Sequence, residues 1–261
     1  MDEKKTIILI SNDDGVYAKG IKQLAEAVRP LGEVVVVAPD GPRSGMSSAI
    51  TSEIPLRVSL LKKEDGLTVY SCTGTPVDCI KLGINELLDR KPDLVITGIN
   101  HGSNAAISVL YSGTMGAAFE GCIFGVPSLG ISLTDHSCDA DFSRAAACAR
   151  NAAKKILDGS VQLPSGVCLN INVPNRPDIK GIKICKQAKG QWTAEFMKSN
   201  DGGGRNVYWL TGFFEEANKE DQTTDEWALK NGYISIVPCK IDMTAHGMIE
   251  QLENSLDLDI H

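Results

Sequence analysis

Two adjacent carboxylates, Asp13 and Asp14, follow a β-branched run near the start of the chain, in Ser11-Asn12-Asp13-Asp14-Gly15. Ionised side by side, they repel each other. A hard divalent cation such as Mg²⁺ or Mn²⁺, which takes oxygen ligands, is the usual compensation. Gly15 lets the chain turn sharply after them. The same pair also reads as one helix-capping aspartate and one solvent-facing aspartate, and these five residues do not choose between the two.

Three further segments carry polar groups of matching kind. In Pro39-Asp40-Gly41-Pro42-Arg43-Ser44-Gly45, Ser44 offers an oxygen to a metal and Arg43 a guanidinium to a phosphate, although an ordinary proline-glycine loop contains the same residues. In Gly98-Ile99-Asn100-His101-Gly102-Ser103-Asn104, the amide of Asn100 can complete a hard-metal site without adding charge. Asn104 can bond a phosphate or a sugar there, and His101 reads as a general acid or as a plain loop histidine. Amide-rich turn chemistry is the alternative for the whole segment. Tyr111-Ser112-Gly113-Thr114 opens a run of small helical residues. Free amides at a helix start favour an anion, and the hydroxyls of Ser112 and Thr114 add donors. N-capping uses the same groups, so the sequence alone does not separate the two roles.

These segments matter jointly because of the elements that must position them. Thr6–Ile10, Val34–Ala38, Leu94–Thr97, Ser128–Ser132 and Cys168–Val173 read as strands buried on both faces. Between them, Ala18–Leu31, Pro76–Leu88, Thr114–Phe124 and Phe142–Leu157 read as helices. The alternation predicts an α/β fold: a Rossmann-like, doubly wound, mostly parallel sheet in three αβα layers. Ligands bind outside the carboxyl ends of such strands, where all four segments fall. Leu56–Leu61 and Leu67–Cys72 flank Glu64-Asp65-Gly66 and read as a hairpin. From about Lys186 the helix signal fades, and residues 186–240, with three consecutive glycines at 202–204, read as an extended hairpin and C-terminal segment used in oligomer contacts. The tail after Met243 reads as a short helix or a frayed end. One domain is expected over residues 1–261.

Composition removes other classes. A net charge of −7 argues against binding a nucleic-acid polymer. No apolar run approaches a membrane span, and no secretory leader precedes the first strand. The eight cysteines form no Cys-x-x-Cys pair, so zinc is not indicated, and buried reduced thiols in a cytoplasmic protein are expected.

The motifs together resemble the SurE family, the stationary-phase survival proteins. Ile10-Ser11-Asn12-Asp13-Asp14-Gly15, Arg43-Ser44-Gly45, Gly74-Thr75-Pro76-Val77-Asp78-Cys79, Gly98 to Asn104 and Tyr111 to Gly121 stand in the family's order over the first half of the chain. The resemblance implies a divalent-metal nucleotidase that removes phosphate from nucleoside 5′- and 3′-monophosphates, with short polyphosphate as a further substrate in some members. It implies one Mg²⁺ or Mn²⁺ held by Asp13, Asp14, Ser44 and Asn100, and phosphate contacts at Asn104, Ser112, Gly113 and Thr114. Asn12 and Arg43 lie inside the same motifs and are expected to touch substrate. The family forms dimers or tetramers. The mechanism expected is direct attack by an ion-activated water, with Asp13 or Asp14 as general base. The alternatives are a receiver-like signalling module and a non-catalytic nucleotide-binding module. The first needs a third aspartate where Asn100 stands. For the second, a dinucleotide site would need a Gly-x-Gly-x-x-Gly turn that is absent.

Overall fold

The computed structural model describes residues 5–256. Along the chain run β1 (Ile7–Ser11), α1 (Lys19–Val28), β2 (Glu33–Pro39), β3 (Val58–Glu64), β4 (Leu67–Cys72), α2 (Pro76–Leu82), β5 (Leu94–His101), α3 (Gly113–Ile123), β6 (Ser128–Leu133), α4 (Ser143–Leu157) and β7 (Val167–Val173). There follow β8 (Gly181–Ile184), β9 (Gly190–Thr193), β10 (Phe196–Asn200), β11 (Asn206–Leu210), β12 (Phe213–Glu216), α5 (Asp225–Lys230), β13 (Tyr233–Lys240) and α6 (Ile249–Ser255).

Nine strands form one sheet in the order β3-β4-β2-β1-β5-β6-β7-β13-β8. From β4 to β7 all neighbours are parallel. The apolar runs account for this: Ile8, Leu9, Ile10, Val34, Val37, Leu94, Val95 and Ile96 are fully buried, as strands covered on both faces require. Helices α1 and α4 pack together over one face, and α2 and α3 over the other. The α1 stripe Ile21, Leu24, Ala25 and Val28 meets Ala145, Ala149 and Ala153 of α4 in the larger core. The expected three-layer αβα fold is present. Its chain order reverses between β1 and β5, so the crevice of the doubly wound sheet opens where Asp13 and Asn100 stand.

Several element ends differ from the sequence reading for identifiable reasons. The first helix stops at Val28 and continues only as a 3-10 turn over Arg29–Leu31, because Pro30 carries no N–H and disfavours helical backbone before it. The segment expected to be helical through Leu88 is α-helical only to Leu82, then widens into a π turn over Gly83–Leu87. Gly83 at that change sits where a Cβ would lie 2.8 Å from Leu9. The start of α2 is a reciprocal capping box: Asp78 N–H donates to Thr75 Oγ1 (3.1 Å) and Thr75 N–H to Asp78 Oδ2 (2.9 Å). That third motif segment therefore shapes a helix end rather than facing the crevice.

Residues 186–240 divide into two parts. Only β9 to β12 form the arm, with β9 paired to β12 and β10 to β11. Beyond it the chain makes α5, and then β13 returns to the central sheet, antiparallel to β7 and parallel to β8. A strand that re-enters a sheet centre carries its own apolar pattern, and Ile234 and Val237 of β13 are buried. Past Met243 the chain forms a 3-10 turn and α6, while the acidic end at 257–261 lies outside the described residues. All eight cysteines are free thiols. Among the described residues no helix is long and apolar enough to cross a membrane.

Candidate active site

A cleft of about 510 Å³ opens over the crevice. Asp13, Ser44, Asn100, Asn104 and Ser112 line it together, although 99 positions separate the first from the last. Each is brought there by a strand end or a helix start. Asp13 and Asp14 follow β1, Ser44 is in the loop after β2, and Asn100 is in the last turn of β5.

A bulge aims Asn100. Thr97 pairs with Gly130 of β6, but Asn100 pairs with Ser132, so β5 holds one extra residue. Gly98 makes this possible. Its φ is +133°, and a Cβ there would stand 2.3 Å from the Ile131 carbonyl oxygen. Beyond the bulge, Asn100 Nδ2 donates to the Gly102 carbonyl (2.9 Å), which leaves Oδ1 without a partner among the described residues.

Asp13 is buried and held from the start of α3. Thr114 Oγ1 donates to Asp13 Oδ1 at 2.5 Å, and the Thr114 N–H also favours the charged carboxylate. Gly113 permits this approach, since a Cβ there would meet Asp13 Cβ at 3.0 Å. Burial outweighs these bonds and, with the Asp14 charge adding to it, pushes the Asp13 carboxyl up to about 6. Asp14 is also raised by burial, opposed by the His101 N–H that donates to its Oδ2 (3.2 Å).

The donor set fits a divalent cation. Asp13, Asp14, Ser44 and Asn100 present hard oxygens only, the set suited to Mg²⁺ or Mn²⁺ rather than to zinc. Among the described residues no group of three His, Cys, Asp or Glu side chains is arranged to hold a metal. A cation at the acid pair would therefore draw on the hydroxyl and the amide as well.

The remaining expected contacts divide. Ser112 Oγ accepts the Met115 N–H (3.0 Å) as the α3 cap, and its own hydroxyl hydrogen stays available to the cleft. Asn104 is anchored by Asn170 and Asn172 of β7. Its N–H donates to Asn172 Oδ1 (2.8 Å), its carbonyl accepts from Asn170 Nδ2 (2.8 Å), and its Nδ2 donates to Ser132 Oγ (2.9 Å). Its Oδ1 and the second hydrogen of its Nδ2 are uncommitted among the described residues. Three of the expected contact residues have partners within the chain. Asn12 is fully buried and spends both ends of its amide on Gly15, closing the turn after the acids. Arg43 pairs with Asp40 (3.0 Å) and stands outside the cleft lining. Thr114 commits its hydroxyl to Asp13 rather than to a phosphate. The anion at this helix start is the protein's own carboxylate, which draws on the partial positive charge there.

His101 packs its ring edge-on against Phe142 at 4.7 Å, with Nδ1 buried and unpaired among the described residues, and it also lines the cleft. Sequence reasoning missed five residues. Asn170 and Asn172 sit in β7, where buried amides beside apolar residues were the available signal. His136 fills the space over Gly102, and Trp192 and Leu210 reach the cleft from the arm. Nothing in local spacing connects residues so far apart.

A mostly parallel αβα sheet with a polar cleft at its switch point, lined by Asp13, Asn100 and the capped helix start at Ser112, defines a Rossmann-like α/β protein. The chain belongs to the SurE family: the family model described as Survival protein SurE matches residues 8–194. It is 53% identical over 252 residues to a protein of Bacteroides thetaiotaomicron named 5′-nucleotidase SurE, covering 97% of this chain and 96% of that one. A protein of the same name from Flavobacterium psychrophilum is 49% identical over 253 residues, covering 96% and 97%. The crystal structure of the SurE protein from Aquifex aeolicus superposes with a TM-score of 0.82 at 36% identity, over 96% of this chain and all of that one.

Proposed function

We propose that this chain is a divalent-metal-dependent nucleotidase that hydrolyses nucleoside 5′-monophosphates to nucleoside and inorganic phosphate. Nucleoside 3′-monophosphates and short polyphosphate are proposed as further substrates. The observation that carries the reading is the meeting, in one cleft, of Asp13, Ser44 and Asn100 with the Ser112 hydroxyl of the α3 start. The names of the close relatives support the same activity.

Asp13, Asp14, Ser44 and Asn100 would hold one Mg²⁺ or Mn²⁺. Bound there, the ion supplies Lewis-acid polarisation of the phosphoryl group. The rest is the work of this chain's own groups. The Ser112 hydroxyl and the free amide of Gly113 bind phosphoryl oxygens and stabilise the charge that grows on them. Thr114 keeps Asp13 in one orientation. Asn104, locked by β7, presents its amide oxygen as an acceptor toward substrate hydroxyls. The carboxylate pair accepts the proton released from the attacking water. The exposed Phe196, Met197, Tyr208 and Trp209 on the arm support assembly of a homodimer or homotetramer. A cytoplasmic location accords with eight free thiols.

Metal-stripped protein should release no phosphate from AMP, gain activity with Mn²⁺ or Mg²⁺, and lose it again to a chelator. Absence of metal-dependent release from every nucleoside monophosphate overturns the reading. Metal affinity should fall about tenfold per pH unit below about 6, because there the ion must displace the Asp13 proton. Thr114→Val removes the donor that orients Asp13, and calorimetry at pH 7 should then show metal binding weakened about 10-fold or more. Unaltered binding would mean that Asp13 needs no such support.

A further inference from the structure

The cleft, of about 510 Å³, is larger than a phosphate requires, and part of its lining comes from the arm: Trp192, Glu195, Leu210 and Thr211 share it with Asp13 and Asn100. All four cluster at the junction between the two ribbons of the arm. The chain is kinked there on both strands, by Ala194 at φ +51° and Gly212 at φ +103°. A non-glycine residue held in the left-handed region persists only where its surroundings demand it, and such residues gather at ligand clamps. Thr211 N–H donates to the Glu195 carbonyl (2.6 Å) and Thr211 Oγ1 to the Ala194 carbonyl (3.1 Å), which tie the kink.

Trp192 is also held in place. It stands opposite Phe214 in the β9–β12 register, and the two rings meet at 6.5 Å and 68°, steadying the indole. The foot of the arm is tied to the cleft floor by Asp225, which is buried. Its Oδ1 accepts the Ala188 N–H (2.9 Å) just before β9, and its Oδ2 accepts the Ala106 N–H (2.8 Å) in the turn leading to Ser112. One carboxylate thus fixes the arm against the wall that carries the phosphate donors.

Resting on the nucleotidase reading, we infer that the arm of the same chain is the nucleoside subsite, in which the Trp192 indole is the stacking platform for the base. A half-buried indole beside the aliphatic Leu210 makes a slot for a planar, sequence-tolerant π-face. Glu195 and Thr211 place a carboxylate and a hydroxyl at its polar edge. The arm therefore separates nucleotides from other phosphate monoesters of similar charge.

The test uses the full chain in two measurements. In the first, hydrolysis of AMP and of ribose 5-phosphate with Mn²⁺ is compared for wild type, Trp192→Ala and Trp192→Phe. Trp192→Ala should raise KM for AMP about 10- to 100-fold with kcat within about twofold, and leave ribose 5-phosphate kinetics unchanged. Trp192→Phe should restore most of the loss. An unchanged KM for AMP, or an equal loss on both substrates, overturns the subsite. In the second, adenosine binding is followed by calorimetry in chelator, so that no metal or turnover is involved. Wild type should bind, and Trp192→Ala should weaken binding at least about tenfold. Failure of wild type to bind adenosine while it still hydrolyses AMP overturns the subsite and leaves the nucleotidase reading standing. Adenosine binding at Trp192 in a protein inactive on every nucleotide overturns the nucleotidase reading alone.

Discussion

Asp13→Asn is expected to lower kcat/KM for AMP by about 10³-fold and, in the same molecule, to raise the melting temperature of the metal-free protein at pH 7.5. Both effects come from one buried charge. The native state holds the Asp13 proton up to about pH 6, whereas an ordinary carboxylic acid loses it near 4. Between those values the unfolded state has already ionised, so stability falls as pH rises, and the whole cost is present above about 6. Asparagine keeps an acceptor for the Thr114 hydroxyl and removes the charge. The gain should be absent below about pH 4, grow through pH 4 to 6, and level off above at on the order of 2–3 kcal/mol, a rise of about 5 °C. Scanning calorimetry of both proteins in chelator, at pH 4 and pH 7.5, measures it. A variant that is inactive but no more stable would place the burden on some group other than this carboxylate. Full activity in Asp13→Asn would remove Asp13 from the site.

Gly98→Ala carries the largest expected cost to the fold. The added methyl would stand 2.3 Å from the Ile131 carbonyl oxygen and force an alanine to φ +133°. Neither the β5–β6 ladder nor the residue can yield without loss, and about 3–5 kcal/mol of stability should go. The damage should extend to function, because the bulge at Gly98 turns Asn100 toward the cleft and sets the His101 N–H on Asp14. Urea denaturation midpoints and metal calorimetry on the same samples test both halves. Gly202→Ala, where a methyl would meet nothing within 4 Å, serves as the control and should change little. If Gly98→Ala keeps its stability but loses metal binding, the bulge acts on the site alone. If it keeps both, the bulge is dispensable.

The parallel sheet and the place of the acid pair were legible in the chain itself. Apolar runs such as Val34–Ala38 can only be strands covered on both sides, and residues just past such strands must collect at one edge. Asp13, Ser44, Asn100 and Ser112 fall at such places in the chain, and the cleft holds all four. The commitment of polar groups was not legible. Asn12, Arg43 and Thr114 have the right chemistry and stand in the right motifs, yet Gly15, Asp40 and Asp13 claim them. Hydrogen-bond capacity belongs to a residue type, whereas the partner that uses it is chosen by packing. The arm shows the same limit over a longer distance. Its three consecutive glycines and fading helix signal suggested a hairpin, but only the tertiary structure set Trp192 in one cleft with Asn100, returned β13 to the sheet, and let Asp225 tie the two walls together. Local pattern determines which elements form because strands and helices answer to neighbours a few residues away. Which side chains share a cleft depends on contacts across many tens of residues, and those have no signature in spacing.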